Sequence, residues 1–146
     1  MQIDVQLIDY GLAGRFQNKA GQVTGMFDKL RYRLVSIAEN WVKSMAPVKT
    51  GKLRGNTKKV ITGSGGYVFT PKSSVKYIDY VVNGTGPHII RPKGKGALYW
   101  PGARHPVKFV KHPGTKANPF YDKAYIKIVG EFNSELRAFE KWLGEV

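Results

Sequence analysis

The chain has no cysteine, which excludes disulfides and thiolate metal sites and leaves the redox compartment open. No apolar run approaches the roughly 18 to 20 residues needed to span a bilayer. The opening residues, MQIDVQLIDYG, lack the basic n-region and apolar h-region of a secretory signal. These absences point to a soluble protein made and used without export, with no membrane partner. No repeat, low-complexity tract or linker divides the 146 residues, a length that suits one domain with a real core. Acidic residues are scarce, 10 against 24 lysines and arginines, for a formal charge of +14. From Asn40 to Tyr121 the only carboxylate is Asp79, against fifteen lysines and arginines. Such a surface attracts polyanions, either nucleic acid or an acidic protein, unless it is simply a solvated basic face.

What is present reads as globular, with 42% apolar residues and 12% aromatics. IDVQLID alternates Ile3, Val5 and Leu7 against polar neighbours, the pattern of a half-buried strand, and YGLAGRF breaks it. Val23, Met26, Phe27, Leu30, Leu34, Ile37, Ala38, Trp41 and Met45 then form a helical stripe of about five or six turns, which Pro47 stops. KKVIT and YVFT flank GSGG as a hairpin. VKYIDYVVNGT, rich in aromatic and β-branched residues, predicts a further strand. HIIRP and HPVKFVKHP predict two short ones, and PKGKGALYWPGAR between them carries too many breakers for a regular element. After Pro119, the residues Tyr121, Tyr125, Ile128, Phe132, Leu136, Phe139 and Leu143 predict a second long helix, which Gly130 weakens by about 1 kcal/mol relative to Ala. The expected fold is α+β, a single domain over 1–146. A long N-terminal helix and a C-terminal helix pack on one face of an antiparallel sheet, and a long extended basic loop, or arm, covers approximately 84–118.

Catalytic constellations are hard to find. His88, His105 and His112 lie in loop-like, Pro-flanked stretches with Asp79 as the only acid of the region, a pattern of turn histidines more than of metal ligands. Glu131, Glu135 and Glu140 fit the solvated face of a helix. TGSGG lacks the spacing of a nucleophile elbow. GTG and PKGKG lack the G-K-[ST] and the helix of a phosphate loop. We therefore expect no enzyme, no metal and no cofactor. Aromatics do interleave with bases in ALYWPGARHPVKFVKH, where Tyr99, Trp100 and Phe109 could stack on nucleobases or pack onto a sheet or a neighbouring subunit. No helix-turn-helix spacing, zinc-finger ligands or RNP motif accompanies them.

VKHPGTKANPF, residues 110–120, combines a Pro113–Gly114 turn with Asn118 as a cap and Pro119 at a helix start. It closes more than thirty loop-like residues, and structureless loops beyond roughly 12 to 15 residues are usually functional. Three stretches together, MAPVKTGKLRG (45–55), YIDYVVNGTGPHIIRPK (77–93) and HPGTKANPFYDKA (112–124), resemble in this order the head–tail joining proteins of long-tailed bacteriophages. These are small neck or tail-completion proteins, also described as minor tail proteins. The chain departs from the family pattern at Lys49, where many members carry Asp, and at Asn83, where many carry Glu.

The resemblance implies a virion structural protein forming a ring at the head–tail junction, assembled in the host cytoplasm. Its implied partners are copies of itself, a head connector or head-closure protein, tail tube or tail terminator proteins, and viral DNA in the lumen. Residues expected at such interfaces are Lys49, Lys52 and Arg54 in the first motif. Along the arm they are His88, Arg91, Lys93, Lys95, Leu98, Tyr99, Trp100, Arg104, Lys108 and Lys111. In the returning segment they are His112 and Lys116, with Phe120 as an apolar plug. The other reading, from composition, is a non-specific nucleic-acid-binding protein that uses the basic loop 84–118.

Overall fold

The computed structural model of the chain describes residues 1–6, 20–94 and 96–144, with backbone alone for 20–22. It is α+β, with an antiparallel sheet and packed helices. The chain divides into two units, Met1–Lys76 with Phe120–Val146, and Tyr77–Pro119.

In the first unit, the alternation of Ile3 and Val5 makes β1 (Gln2–Gln6), with both side chains buried. Leu7 and YGLAGRF lie outside the described residues. The long apolar stripe becomes α1 (Ala20–Met45), followed by the short α2 (Lys52–Asn56). KKVIT and YVFT form the expected hairpin, β2 (Lys58–Ile61) and β3 (Gly65–Phe69), in the sheet order β1-β3-β2. Both pairings are antiparallel, with Ile3 and Lys59 opposite Val68, and Val5 and Ile61 opposite Gly66. These residues therefore share one face, and α1 lies on it. A Cβ on Gly66 would stand 2.8 Å from Val35 Cγ2 and 2.4 Å from the Val60 carbonyl oxygen, so only glycine lets helix and strand approach this closely.

The last helix of the unit runs from Phe120 to Gly144, continuous through Gly130, and packs along α1. Phe27 meets Phe139 at 5.0 Å, Arg33 pairs with Glu135 at 2.8 Å, and Trp41 Nε1 donates to Glu131. Partner numbers fall as α1 advances, so the helices are antiparallel. Wedged between sheet and helix, α1 buries a wider arc than one stripe, adding Val35, Val42 and Ala46. Trp41 sits at the rim of that arc, half-buried, because its N–H reaches a carboxylate at the surface. Tyr125 also departs from the expected stripe. The buried line runs through Phe120, Tyr121, Ala124 and Ile128, which turns Tyr125 outward.

Two polar networks bind this unit. Thr57, Thr70 and Tyr121 form a buried chain of hydroxyls at 2.9 and 2.8 Å. Burial pushes the Tyr121 phenol above its ordinary pKa, with the Thr70 hydrogen bond opposing. On the core face of β2, Lys59 donates to Ser36 Oγ and pairs with Glu39, which also accepts from Lys43. Burial alone would raise the Glu39 pKa. Hydrogen bonds and charge from Lys43 and Lys59 outweigh it and hold the carboxyl below its ordinary value. Among the described residues no buried side-chain nitrogen or oxygen lacks a partner.

In the second unit, YIDYVVN is not the expected strand but a helix, α3 (Ile78–Asn83). Ile78 and Val82, four residues apart, are buried while Tyr77 and Tyr80 face out. Asp79 sits in the first turn, where a carboxylate favours a helix start, and this spacing outweighs the β propensity of Tyr and Val. β4 (His88–Ile90) and β5 (Val110–His112) then pair with each other. The final helix, Phe120–Gly144, is α4.

Candidate functional site

The arm is a ladder more than a loop. Thr85 faces Thr115, and His88, Ile89 and Ile90 face His112, Lys111 and Val110, all in one antiparallel register. At its base, Gly84 and Gly114 have φ of 72° and 92°, and a Cβ on either would strike the opposite backbone at Thr115 or Thr85. Neither position accepts a side chain without strain. Thr115 N–H donates to both the carbonyl and the hydroxyl of Thr85.

Beyond Ile90 the register breaks. Leu98 pairs with Val107 through two backbone hydrogen bonds of 2.7 and 2.9 Å, so the described residues between Ile90 and Leu98 outnumber Lys108 and Phe109 opposite them and bulge. That bulge carries Arg91 and Lys93, while Lys95 lies outside the described residues. The tip closes at Trp100-Pro101-Gly102-Ala103. Ala103 N–H donates to the Trp100 carbonyl at 2.9 Å, and Gly102 has φ 93°. Proline then glycine at the two central positions suits a type II turn.

The ladder displays apolar groups it does not bury. Tyr99 is 68% exposed, Phe109 48% and Trp100 46%, and Ile89 and Ile90 also face solvent. Leu98 is the exception, half-buried by its pairing. Around these groups stand Arg91, Lys93, Arg104, Lys108, Lys111 and Lys116, and no carboxylate occurs anywhere from 84 to 118. Such a surface suits a partner offering both apolar area and negative charge.

Two of the histidines meet across the ladder, with the rings of His88 and His112 5.0 Å apart and inclined by 32°. His112 Nδ1 accepts the Gly114 N–H, so the neutral ring carries its proton on Nε2. His88 Nδ1 lies 2.9 Å from the Gly86 carbonyl. His105 is at the tip. Among the described residues no group of three or more His, Asp or Glu could hold a metal ion.

The remaining expected interface residues belong to the first unit. Lys49 and Lys52 are exposed around α2. Arg54 also has a structural task, since its Nε donates to the Lys43 carbonyl in the last turn of α1 at 2.8 Å. Phe120 is fully buried at the start of α4, an internal anchor rather than a displayed side chain.

Sequence reasoning missed a second exposed patch on α4, formed by Tyr125, Ile126 and Val129, with Ile126 72% exposed. Its signal was present, because Ile126 and Val129 fall out of phase with the buried line. Beside this patch, β1 and α4 flank an open recess of about 300 Å³ bordered by Met1, Asp4, Tyr121, Asp122 and Tyr125. A groove of about 290 Å³ between α1 and α4 is bordered by Leu30, Phe139 and Trp142, with the Arg33–Glu135 pair at its edge.

No family model, curated protein or solved structure matches the chain. No described helix is long and apolar enough to cross a membrane.

Proposed function

We propose that the protein is a virion structural component that forms a ring at the head–tail junction of a tailed virus, joining the DNA-filled head to the tail. In this reading both long helices sit on one face of the sheet as a rigid body, and the arm supplies contacts. The observation that carries the proposal is a braced ladder whose aromatic side chains remain substantially exposed. An element ordered by its backbone while displaying Tyr99, Trp100 and Phe109 is suited to assembly. The family resemblance adds support, because two of its three motifs form the outgoing and returning roots of the arm. Copies of the chain, a connector or head-closure protein and tail tube or terminator proteins are the proposed partners, with DNA in the lumen.

Deletion of the protein from its virus is the test. DNA-filled heads and finished tails that stay separate are expected in micrographs of lysates. Joined, infectious particles in normal numbers overturn the reading, and so do empty heads, which place the defect at packaging.

The same exposed rings among cations support a second reading, non-specific nucleic-acid binding through the arm. Tight binding of mixed-sequence DNA by a monomer, falling steeply with salt, favours it. Stable rings with little affinity for DNA favour joining.

A further inference from the structure

The geometry points to the recess between β1 and α4 as the docking site for the arm tip of a second copy of this chain. The inference rests on the ring-forming reading and names the two surfaces that would meet. The recess presents two carboxylates, Asp4 and Asp122, beside the rings of Tyr121 and Tyr125. Met1, whose α-ammonium is a positive charge, Gln2 and Ile3 complete the border, and among the described residues no lysine, arginine or histidine side chain lines it, in a chain that carries 24 lysines and arginines. Asp4 is held by Gln2 Nε2 at 2.8 Å, and the apolar rim continues over Ile126 and Val129.

The arm tip has the opposite character. Its Trp100–Ala103 turn projects an exposed indole, Arg104 follows directly, and no acid lies nearby. A cavity of about 150 Å³ suffices for benzene, so a recess of about 300 Å³ has room for the Trp100 indole, leaving Arg104 to face the carboxylates. Lys127 on the flank of α4 disfavours a basic tip that approaches off-centre, which sharpens the register. Because the two patches differ, the contact is head-to-tail, repeats from copy to copy, and closes into a ring where the rotation allows.

The test is the solution mass of the full chain by size-exclusion chromatography with light scattering, over graded protein concentrations and two salt levels. Wild type is expected to oligomerise. Trp100→Glu, on the arm, and Ile126→Asp, on the rim, should each weaken association by at least about tenfold. Circular dichroism verifies that these exposed positions leave the fold intact, and Asp122→Asn provides a milder second change in the recess. Mixing the two disabled variants is the decisive measurement. One intact tip and one intact recess remain, so a 1:1 dimer and nothing larger should form. Oligomers that persist in both variants overturn the docking assignment while leaving the ring reading in place. A mixture that stays monomeric overturns the head-to-tail pairing, and a wild type that is monomeric throughout overturns both readings.

Discussion

The two units of the chain handle apolar residues in opposite ways. The body places Val35, Val42, Val68, Phe120 and Ile128 out of reach of water. The arm unit buries Ile78 and Val82 in its short helix and leaves Ile89, Tyr99, Trp100 and Phe109 in solvent. Order in the body follows from side-chain packing, which scales with apolar area removed from water. In the ladder, order follows from backbone pairing, from glycines that no other residue replaces and from a proline-set turn. A two-stranded ladder alone is marginal in water, so the arm's side chains contribute little to folding and are free to serve contacts.

Three measurements can break or sharpen this contrast. The largest expected effect is in the core. Phe120→Ala should cost about 3–5 kcal/mol in denaturant unfolding, as for other large buried aromatics, whereas Trp100→Ala should change stability by no more than about 0.5 kcal/mol. Equal losses at the two positions would erase the distinction.

Next come the glycines. Gly66→Val forces a branched side chain between β3 and α1 and should cost about 1–3 kcal/mol or more. Gly114→Ala should leave the melting temperature nearly unchanged while abolishing slow hydrogen exchange at the Thr85 and Thr115 amides.

The smallest effect concerns Glu39. Its carboxyl is held below the ordinary value by Lys43 and Lys59, so its contribution is complete above the ordinary carboxylate range and is lost as pH falls through the depressed folded value. The stability gap between wild type and Glu39→Gln should therefore be widest near neutral pH and shrink on acidification. A gap independent of pH would show that the network does not act through charge.

The first unit was largely legible in the sequence. Alternation at Ile3 and Val5, the GSGG hairpin and both long helical stripes declare themselves through period alone. Trp41 and Tyr125 were misplaced because a stripe does not reveal how many neighbours a helix has, and α1 has two. The strand expected in VKYIDYVVNGT (75–85) failed because residue type was weighed above the i, i+4 spacing of Ile78 and Val82. The arm was read as one long loop over approximately 84–118 and not as a ladder, because the pairing of His88 with His112 depends on contacts twenty-four residues apart that no local pattern encodes. Its tip could have been read, since proline then glycine inside WPGA is a turn signature. The acidic recess could not, because Asp4 and Asp122 border one recess only once β1 lies beside α4.

The anchoring of the arm has a mechanical side. The chain leaves the body just after Val75 and returns at Phe120, and both side chains are fully buried. One residue further, Tyr121 is tied through Thr70 to Thr57. A pull on the arm is therefore divided between two strands of chain, each ending in a plug that must be drawn out of close-packed surroundings before the root can yield. Slack at one root is not enough to free the arm, so a tensile load on it has to be borne by the body as a whole.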